Sequence, residues 1–492
     1  MSRRPNVLLI TVDQWPGDLL GASGHPLVET PTLDALAHTG VHFRSVYSEC
    51  PICIPSRRTL MTGMSPRAHG DRIFKPTEPM PDVVTMAQAF RNVGYQAYSV
   101  GKLHVHPQRD RIGFDDALLA EEGRPQLGTV DDYDMYLAQQ GYVGQQYMHG
   151  MSNNEYDWRP WHLPEHTHVT NWTATEMCRT IKRRDPTRPA FWNLSFSHPH
   201  PPLVPPQTYL DRYDRFEMSM PGTGDWARNE MDLPFALRAS RAYRPPLTER
   251  MLQGVQAAFF ALCTHIDHQI RLVLGTLREE RILNDTVILF TSDHGEMLGR
   301  HGLLGKRLFY ERSSCVPTIL VAPNGCDARL TNGVCDQVFG LADIMPTLLD
   351  LAGIDMPDIC EGISMASLKG REYIYGECLE DAKASRMIRK GGHKLIWYPA
   401  GNALQLFDLT RDPEEHHDLA NDASWVKTRR KLETLLIDCL YGKDLDWVRN
   451  GALAGFAEPD LPQLDRRDLG GQRGLHYPQP PLNVSNEVVG AG

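Results

Sequence analysis

The sequence predicts an α/β fold in which a mostly parallel sheet lies between helices, followed by a small antiparallel α+β subdomain. Continuous apolar runs rich in β-branched residues, such as Asn6 to Val12 and Thr286 to Thr291, are typical of strands covered on both faces. Segments with helical spacing alternate with these runs. From about residue 370 the pattern changes to short alternating strands and one helix.

The composition excludes several classes of function. The 492 residues include 51 basic and 61 acidic side chains, a formal net charge of −10, and no block of Lys and Arg indicates nucleic acid binding. No apolar stretch approaches the length of a membrane span, and the N-terminus does not resemble a signal peptide. We therefore expect a cytoplasmic protein, without nucleic acid or membrane partners, whose ten cysteines are reduced.

The first elements carry local start and stop signals. Thr30, followed by a proline, opens a helix that Gly40 closes, and residues 41–47 are typical of a strand. Residues 81–92 predict a helix, and residues 95–100 predict the next strand.

The middle of the chain contains two stretches without clear periodicity. Residues 105–165 form either a substrate-facing loop or a surface excursion that packs Trp158 and Trp161, and residues 201–247 predict a Pro-rich loop region. Between and after them the pattern predicts helices over 170–184, 248–281 and 343–352, and strands over 190–196, 286–291 and 316–321.

The C-terminal part is predicted to be organised separately. We expect a catalytic domain over residues 1–370, and a subdomain over 371–450 with four short strands and a helix from about Ser424 to Leu440. Residues 451–492 are rich in Pro and Gly and form either a disordered tail or an arm laid on a neighbouring copy, which favours a homo-oligomer.

Polar residues follow four of the apolar strands. Ligands bind at the carboxyl ends of strands in open α/β sheets, so these residues are candidates for one site. They are Asp13 with Gln14, Lys102 with His104, His198, and Asp293 with His294. Asp13, Gln14, Asp293 and His294 offer mostly oxygen ligands, which suits Ca²⁺, Mg²⁺ or Mn²⁺. The alternative for Asp13 is that it only caps the following turn.

Cys53 begins a short apolar helix that ends at Gly63. The helix N-terminus and Arg57 both favour negative charge at this thiol. Lys102, His104, His198 and Lys306 extend the cationic surroundings, and a nucleophile between a metal and cations describes hydrolysis of an oxyanion ester. The alternative is a redox pair of Cys50 and Cys53, although no thioredoxin-like unit surrounds them.

The stretch from Cys53 to Gly63, with the pattern C-x-P-S-R-x-x-x-M-T-G, resembles the signature of the type I sulfatases of the alkaline-phosphatase-like superfamily. The resemblance covers nearly the whole chain and implies a large mixed, mostly parallel sheet sandwiched by helices. Further matches are the strand ending in Asp13 and Gln14, Gly101 to His104, His198 to Pro202, Ser292 to Gly295, and Leu406 to Ala420.

The resemblance implies that a formylglycine-generating enzyme oxidises Cys53 to Cα-formylglycine (3-oxoalanine). The hydrate of this aldehyde would sit on a metal ion bound by Asp13, Gln14, Asp293, His294 and residue 53 itself, and one hydroxyl would attack sulfur. His198 would give a proton to the leaving alcohol, and His104 would help the second hydroxyl to expel sulfate. Arg57 and Lys102 would hold the diol, and Lys306 would bind a sulfate oxygen.

One departure from the common family pattern bears on the substrate. Many members carry paired aspartates after the first strand and an Asp-Asn pair later, whereas this chain has Asp13-Gln14 and Asp293-His294. The variant resembles the choline-sulfatase and phosphonate monoester hydrolase branches. We expect a sulfuric ester hydrolase, with a phosphonate monoester or phosphodiester hydrolase and a non-catalytic sulfate-binding relative as alternatives. Ca²⁺ or Mn²⁺ and the identity of the alcohol stay open.

Overall fold

A nine-stranded sheet runs through the first three quarters of the protein. The structure is a computed structural model and describes residues 4–122, 131–151, 154–242, 247–323, 327 and 329–461. The strands of this sheet are β1 (Asn6–Asp13), β2 (Val41–Tyr47), β3 (Gln96–Gly101), β4 (Asp116–Leu119), β5 (Ala190–Pro199), β6 (Thr286–Ser292), β7 (Cys315–Val321), β8 (Gly333–Cys335) and β9 (Phe339–Gly340).

The sheet is mixed and mostly parallel, as predicted. Its order is β4-β3-β5-β1-β6-β7-β2-β8, with β9 also paired to β2. The first five strands in this order are mutually parallel, whereas β7 runs antiparallel to β6 and β2. All residues of β1, β5 and β6 are buried, which agrees with strands covered on both faces.

Helices cover both faces of the sheet. Leu8, Ile10 and Val12 of β1 belong to one hydrophobic cluster, and Val7 and Leu9 belong to another, because successive side chains of a strand point to opposite faces. The helices are α1 (Pro31–Thr39), α2 (Cys53–Thr62), α3 (Pro66–His69), α4 (Met86–Asn92), α5 (Asp132–Gln139), α6 (Val169–Lys182), α7 (Gln207–Tyr213), α8 (Phe235–Ala242), α9 (Glu249–Glu279), α10 (Glu311–Ser314), α11 (Ile344–Leu351) and α12 (Val426–Cys439). No helix in the described ranges is long and apolar enough to cross a membrane.

Three sequence predictions need correction. Helix α4 begins at Met86 rather than near residue 81, because the Thr85 hydroxyl caps it by accepting from the Gln88 amide at 3.2 Å. Residues 105–165 are not irregular throughout, since they contain β4 and α5. Residues 201–247 contain α7 and α8. The edge strand β4 has only one buried residue, so it lacks the alternation that would reveal it.

Both tryptophans of the 105–165 region are held by neighbours in the protein. Trp158 lies against Gly254 of α9, where an added Cβ would come within 1.9 Å of its ring. Trp161 donates from its indole nitrogen to the Thr167 hydroxyl at 3.1 Å. The two tryptophans are therefore packed against the protein, as in the second interpretation of this region.

The C-terminal part forms a second, antiparallel sheet with α12 against it, as predicted. Its strands are β10 (Tyr373–Cys378), β11 (Ser385–Lys390), β12 (His393–Tyr398) and β13 (Ala403–Asp408), followed by the short pair β14 (Val448–Arg449) and β15 (Ala452–Leu453). The domain limits at residues 370 and 450 stay predictions. Of the predicted 451–492 tail, residues 462–492 lie outside the described part of the chain.

The second sheet packs close to the start of α2. The amide of Glu377 donates to the carbonyl of Glu49 at 2.9 Å, and Ile374 and Met387 share a hydrophobic cluster with Ile52. The residues that follow β10 consequently lie near the segment that leads into Cys53.

Candidate active site

The predicted strand-end residues meet at one edge of the large sheet. β3, β5, β1 and β6 are adjacent and parallel, so their carboxyl ends lie side by side. Asp13 is in register with Pro199, and Val12 is in register with Ser292, the residue before Asp293. Lys102 directly follows β3, and its amide donates to the carbonyl of Ser195 on β5 at 2.9 Å.

Close backbone approach holds this edge together. Gly101 has φ +109°, and a Cβ there would come within 1.8 Å of the carbonyl oxygen of Ser195. Only glycine fits such a contact, and it delivers Lys102 to the site. Gln14 follows β1 with φ 74°. Its backbone amide donates to the Asp293 carboxylate at 3.1 Å, and this hydrogen bond offsets part of the cost of the left-handed conformation.

Four potential ligand atoms converge here, from Asp13, Cys53, Asp293 and His294, all within 4.8 Å of one another and all buried. The sulfur of Cys53 lies 3.1 Å from Nε2 of His294 and 3.7 Å from Oδ1 of Asp13. Nδ1 of His294 lies 3.1 Å from the carbonyl of Gly295. A carbonyl only accepts, so Nδ1 carries a proton and Nε2 is the ring nitrogen that faces the cluster. Two carboxylates and an imidazole fit a divalent metal ion.

Arg57 and Lys102 form buried ion pairs with the carboxylates of the cluster. Arg57 lies four residues after Cys53 on α2, and its guanidinium contacts Asp293 at 2.9 Å and Asp13 at 3.3 Å. The Lys102 ammonium lies 2.8 Å from Asp13 and 2.8 Å from Glu122. Both cations are buried, so these contacts fix the positions of the carboxylate oxygens.

The electrostatics of the cluster favour anions at residue 53. Burial and Asp13 act to raise the pKa of the Cys53 thiol, but Lys306, His294 and Lys102 together lower the pKa well below its ordinary value. Burial likewise opposes ionisation of Asp13, yet Lys102 and other cations hold the pKa of this carboxyl well below its usual range. The site therefore stabilises negative charge at both positions.

Gln14 and Lys306 belong to a neighbouring network. The amide oxygen of Gln14 accepts from the Lys306 ammonium at 2.5 Å, and its NH₂ group donates to Tyr156 at 2.8 Å and also to Glu296. Tyr156 donates to Glu296 at 2.5 Å. Glu296 and Tyr156 were not among the site residues predicted from the sequence. Glu296 lies only three residues after Asp293, which could have suggested it, whereas no local signal marks Tyr156.

The two predicted catalytic histidines are buried at the same edge. The amides of Leu103 and His104 donate to Glu121 at 2.6 and 2.7 Å, and His104 itself has φ 60°. On β5, Nδ1 of His198 lies 3.0 Å from the carbonyl of His200, so this nitrogen carries the proton. Burial lowers the pKa of His198 to about 4. Glu121, like Glu122 beside Lys102, was missed because acidic residues at such positions have no sequence signature.

Cys50 does not pair with Cys53. All nine cysteines in the described ranges are free, and the hydrogen-bond partner of the buried Cys50 is Cys378 of β10. Burial and this contact raise the pKa of the Cys50 thiol well above its ordinary value. This environment gives no support to the redox alternative.

Comparison with known proteins identifies the class to which this fold and site belong. The Sulfatase family model matches residues 5–354, and a model described as N-sulphoglucosamine sulphohydrolase, C-terminal, matches residues 299–440. The chain belongs to the sulfatase family, and the expected enzyme class, a sulfuric ester hydrolase with an alkaline-phosphatase-like fold, is confirmed.

Several relatives span most of the chain. An arylsulfatase from Clostridium perfringens is 35% identical over 94% of this chain and 100% of its own length. A choline-sulfatase from Rhizobium meliloti is 30% identical over 85% of this chain and 83% of its own length. The structure of the phosphonate monoester hydrolase of Agrobacterium radiobacter superposes with a TM-score of 0.74 at 26% identity, covering 88% of this chain and 95% of the other.

Proposed function

We propose that this protein hydrolyses a sulfate monoester to an alcohol and inorganic sulfate, using a divalent metal ion and a formylglycine residue derived from Cys53. The observation that carries the proposal is the position of the Cys53 side chain, among the donor atoms of Asp13, Asp293 and His294 and next to buried cations. A nucleophile held there would face an anionic ester in a dry, electropositive site.

The metal ion, Ca²⁺ or Mn²⁺, would be held by Asp13, Gln14, Asp293, His294 and residue 53, and it would supply Lewis-acid polarisation. The protein's own cations then have separate tasks. Arg57 and Lys102 orient the metal-binding carboxylates and hold negative charge at residue 53. Lys306 binds an oxygen of the sulfate group from the side of Gln14.

Histidines manage the protons. His198 carries hydrogen on Nδ1, so Nε2 is the atom that exchanges a proton with the departing alcohol. Its low pKa keeps the free imidazole neutral at pH 7, and a bound sulfate anion would raise the pKa and help the ring to take up the proton it delivers. His104 acts as the base for release of sulfate.

Peptide mapping by mass spectrometry tests the nucleophile directly. Protein matured with a formylglycine-generating enzyme should carry an aldehyde at residue 53, and turnover of 4-nitrophenyl sulfate should depend on it. Cys53→Ala should abolish turnover while keeping the circular dichroism spectrum, whereas Cys50→Ala, three residues away and equally buried, should retain the activity. Turnover by protein whose residue 53 is an unmodified thiol would contradict the proposal.

A second candidate is hydrolysis of a phosphonate monoester or phosphodiester at the same site. The observation that favours it is the superposition on the phosphonate monoester hydrolase of Agrobacterium radiobacter. Parallel kcat/KM measurements on aryl sulfate and aryl phosphonate monoesters with the same leaving group decide between the two. A large preference for the phosphonate would make phosphonate monoester hydrolysis the leading candidate instead of sulfate ester hydrolysis.

We further propose a cytoplasmic location, a formylglycine-generating enzyme as maturation partner, and assembly as a homo-oligomer. The nine cysteines that the structure describes form no disulfide bonds, which supports a reducing compartment such as the cytoplasm. Size-exclusion chromatography with light scattering tests the assembly state, and a monomer at micromolar concentration would contradict it.

A further inference from the structure

A cavity of about 270 Å³ opens beside Lys306. We name it the Lys306 cavity and define it by the eight polar residues that line it: Asn154, Tyr156, Ser240, Lys306, Arg307, Lys383, Ser385 and Tyr398. One wall comes from the 105–165 region, one from the turn after β6, and one from the second sheet and the segment before β11.

The cavity adjoins the candidate active site. Tyr156 and Lys306 line it and also hold the side chain of Gln14, the residue after Asp13. A sulfate ester whose sulfate group contacts Lys306 would therefore extend its alcohol into the Lys306 cavity. A second depression, beside His198, measures only about 30 Å³, enough for a water molecule but not for a ring.

The charge of the lining is one-sided. Lys306, Arg307 and Lys383 contribute three cations, and none of the described residues that line the cavity is a carboxylate. An alcohol with a negative substituent would find counter-ions there, whereas a quaternary ammonium group would meet like charge.

Arg307 is the cation of this lining that we expect to contact a ligand. Its amide donates to the carbonyl of Pro51 at 3.1 Å and its carbonyl accepts from the thiol of Cys378 at 3.5 Å, so the backbone is tied on both sides. It holds φ 75°, an uncommon conformation for a non-glycine residue. Its side chain is exposed and forms no ion pair with any residue the structure describes. The guanidinium is thus available to a ligand.

We propose that the Lys306 cavity binds the alcohol part of the substrate, and that this alcohol is a ring bearing a second anionic group recognised by Arg307. The inference rests on the proposed sulfatase activity and adds the substrate class. A cavity of roughly 150 Å³ holds benzene, so 270 Å³ accommodates one substituted ring. The anionic group is a carboxylate or a further sulfate, because each presents a pair of oxygens that a guanidinium fork can bind with two hydrogen bonds.

Three phenyl sulfates with different meta substituents test the proposal: 3-carboxyphenyl sulfate, its methyl ester, and 3-(trimethylammonio)phenyl sulfate. We expect kcat/KM to fall in that order, with the carboxylate preferred over the methyl ester by about tenfold or more, the ratio typical of one charge-assisted contact. The preference should appear in KM rather than in kcat, because the contact is present before and during the reaction.

Arg307→Met assigns the preference to its residue. Methionine keeps the backbone strain of this position constant and removes only the charge, so the carboxylate-to-methyl-ester ratio of kcat/KM should fall to near one. Arg430→Met, which removes an exposed arginine from α12 outside the cavity, should leave the ratio unchanged.

The outcomes separate this inference from the function on which it rests. Absence of sulfate release from all three esters and from 4-nitrophenyl sulfate overturns both, whereas release from 4-nitrophenyl sulfate alone overturns only the inference. Release with equal rates for the carboxylate and its methyl ester, a preference for the trimethylammonium ester, or an unchanged ratio in Arg307→Met overturns the inference alone.

Discussion

Replacing Lys102 by methionine tests how the site stabilises its buried carboxylates. The Lys102 ammonium lies 2.8 Å from both Asp13 and Glu122, and its side chain is fully buried. Methionine keeps most of the volume but leaves two buried carboxylates without a shared counter-ion. Removing one partner of a buried ion pair costs about 3–5 kcal/mol in unfolding free energy. Because Arg57 still contacts Asp13, we expect the lower end, about 3 kcal/mol.

Urea denaturation followed by circular dichroism measures this loss, and kcat/KM on 4-nitrophenyl sulfate follows the site. Activity should fall on the order of 10²–10³-fold, because a fixed cation next to the reacting oxygens disappears. The double variant Lys102→Met/Glu122→Gln also neutralises one stranded carboxylate, so it should recover about 1 kcal/mol relative to Lys102→Met. Lys182→Met, which breaks an exposed pair with Glu279, should behave like the wild type.

Two results would refute this reasoning. The first is a Lys102→Met protein that unfolds at the wild-type urea concentration, which would mean that the buried cation does not offset the carboxylates. The second is a double variant less stable than the single one, which would mean that Glu122 is stabilised independently of Lys102.

Three further predictions follow from the same edge of the sheet. Gly101→Ala should destabilise the protein by several kcal/mol and lower its activity, because the new Cβ meets the carbonyl of Ser195. Gly391 also has a positive φ but has open space around it, so Gly391→Ala should cost only about 1 kcal/mol in the same urea titration. Stability should decline as the pH falls from 6.5 towards 4, because His198 in the unfolded chain (ordinary pKa 6.5) binds a proton before the folded residue (pKa about 4) does. His198→Gln should reduce the slope of unfolding free energy against pH by up to about 1.4 kcal/mol per pH unit, and equal slopes for the two proteins would contradict this assignment. Chelation with EDTA should abolish turnover and lower Tm, and Ca²⁺ or Mn²⁺ should restore both, because a ligand present at about 100 times its Kd stabilises the folded state by roughly 2.7 kcal/mol; an unchanged Tm would argue against a metal ion at this cluster.

The parts of the fold that can be predicted from sequence are those with strong local signals. β1, β5 and β6 are long apolar runs, and Thr248 is recognisable as the cap of α9, where its hydroxyl accepts from the Met251 amide at 3.2 Å. The convergence of Asp13 and Asp293 also follows from a general rule, because adjacent parallel strands end at the same edge whatever their order.

The parts that could not be predicted depend on distant contacts. The antiparallel direction of β7 is invisible in its apolar sequence, since a buried strand looks alike in both directions. Gln14 and Glu296 are 282 residues apart, and Gln14 and Tyr156 are 142 apart. Neither pairing has a spacing that could indicate it, so the network around Lys306 emerges only from the folded structure.

The burial of α2 has a consequence for the biogenesis of the enzyme. All ten residues of α2 are buried, and Cys53 is only 4% exposed. A modifying enzyme that must take this segment into its own active site cannot reach it once the helix has docked under the sheet edge. If Cys53 is oxidised as we propose, the oxidation would have to take place before α2 folds. The fraction of active molecules would then depend on the rate of oxidation relative to the rate of folding, and we expect it to rise when synthesis is slowed.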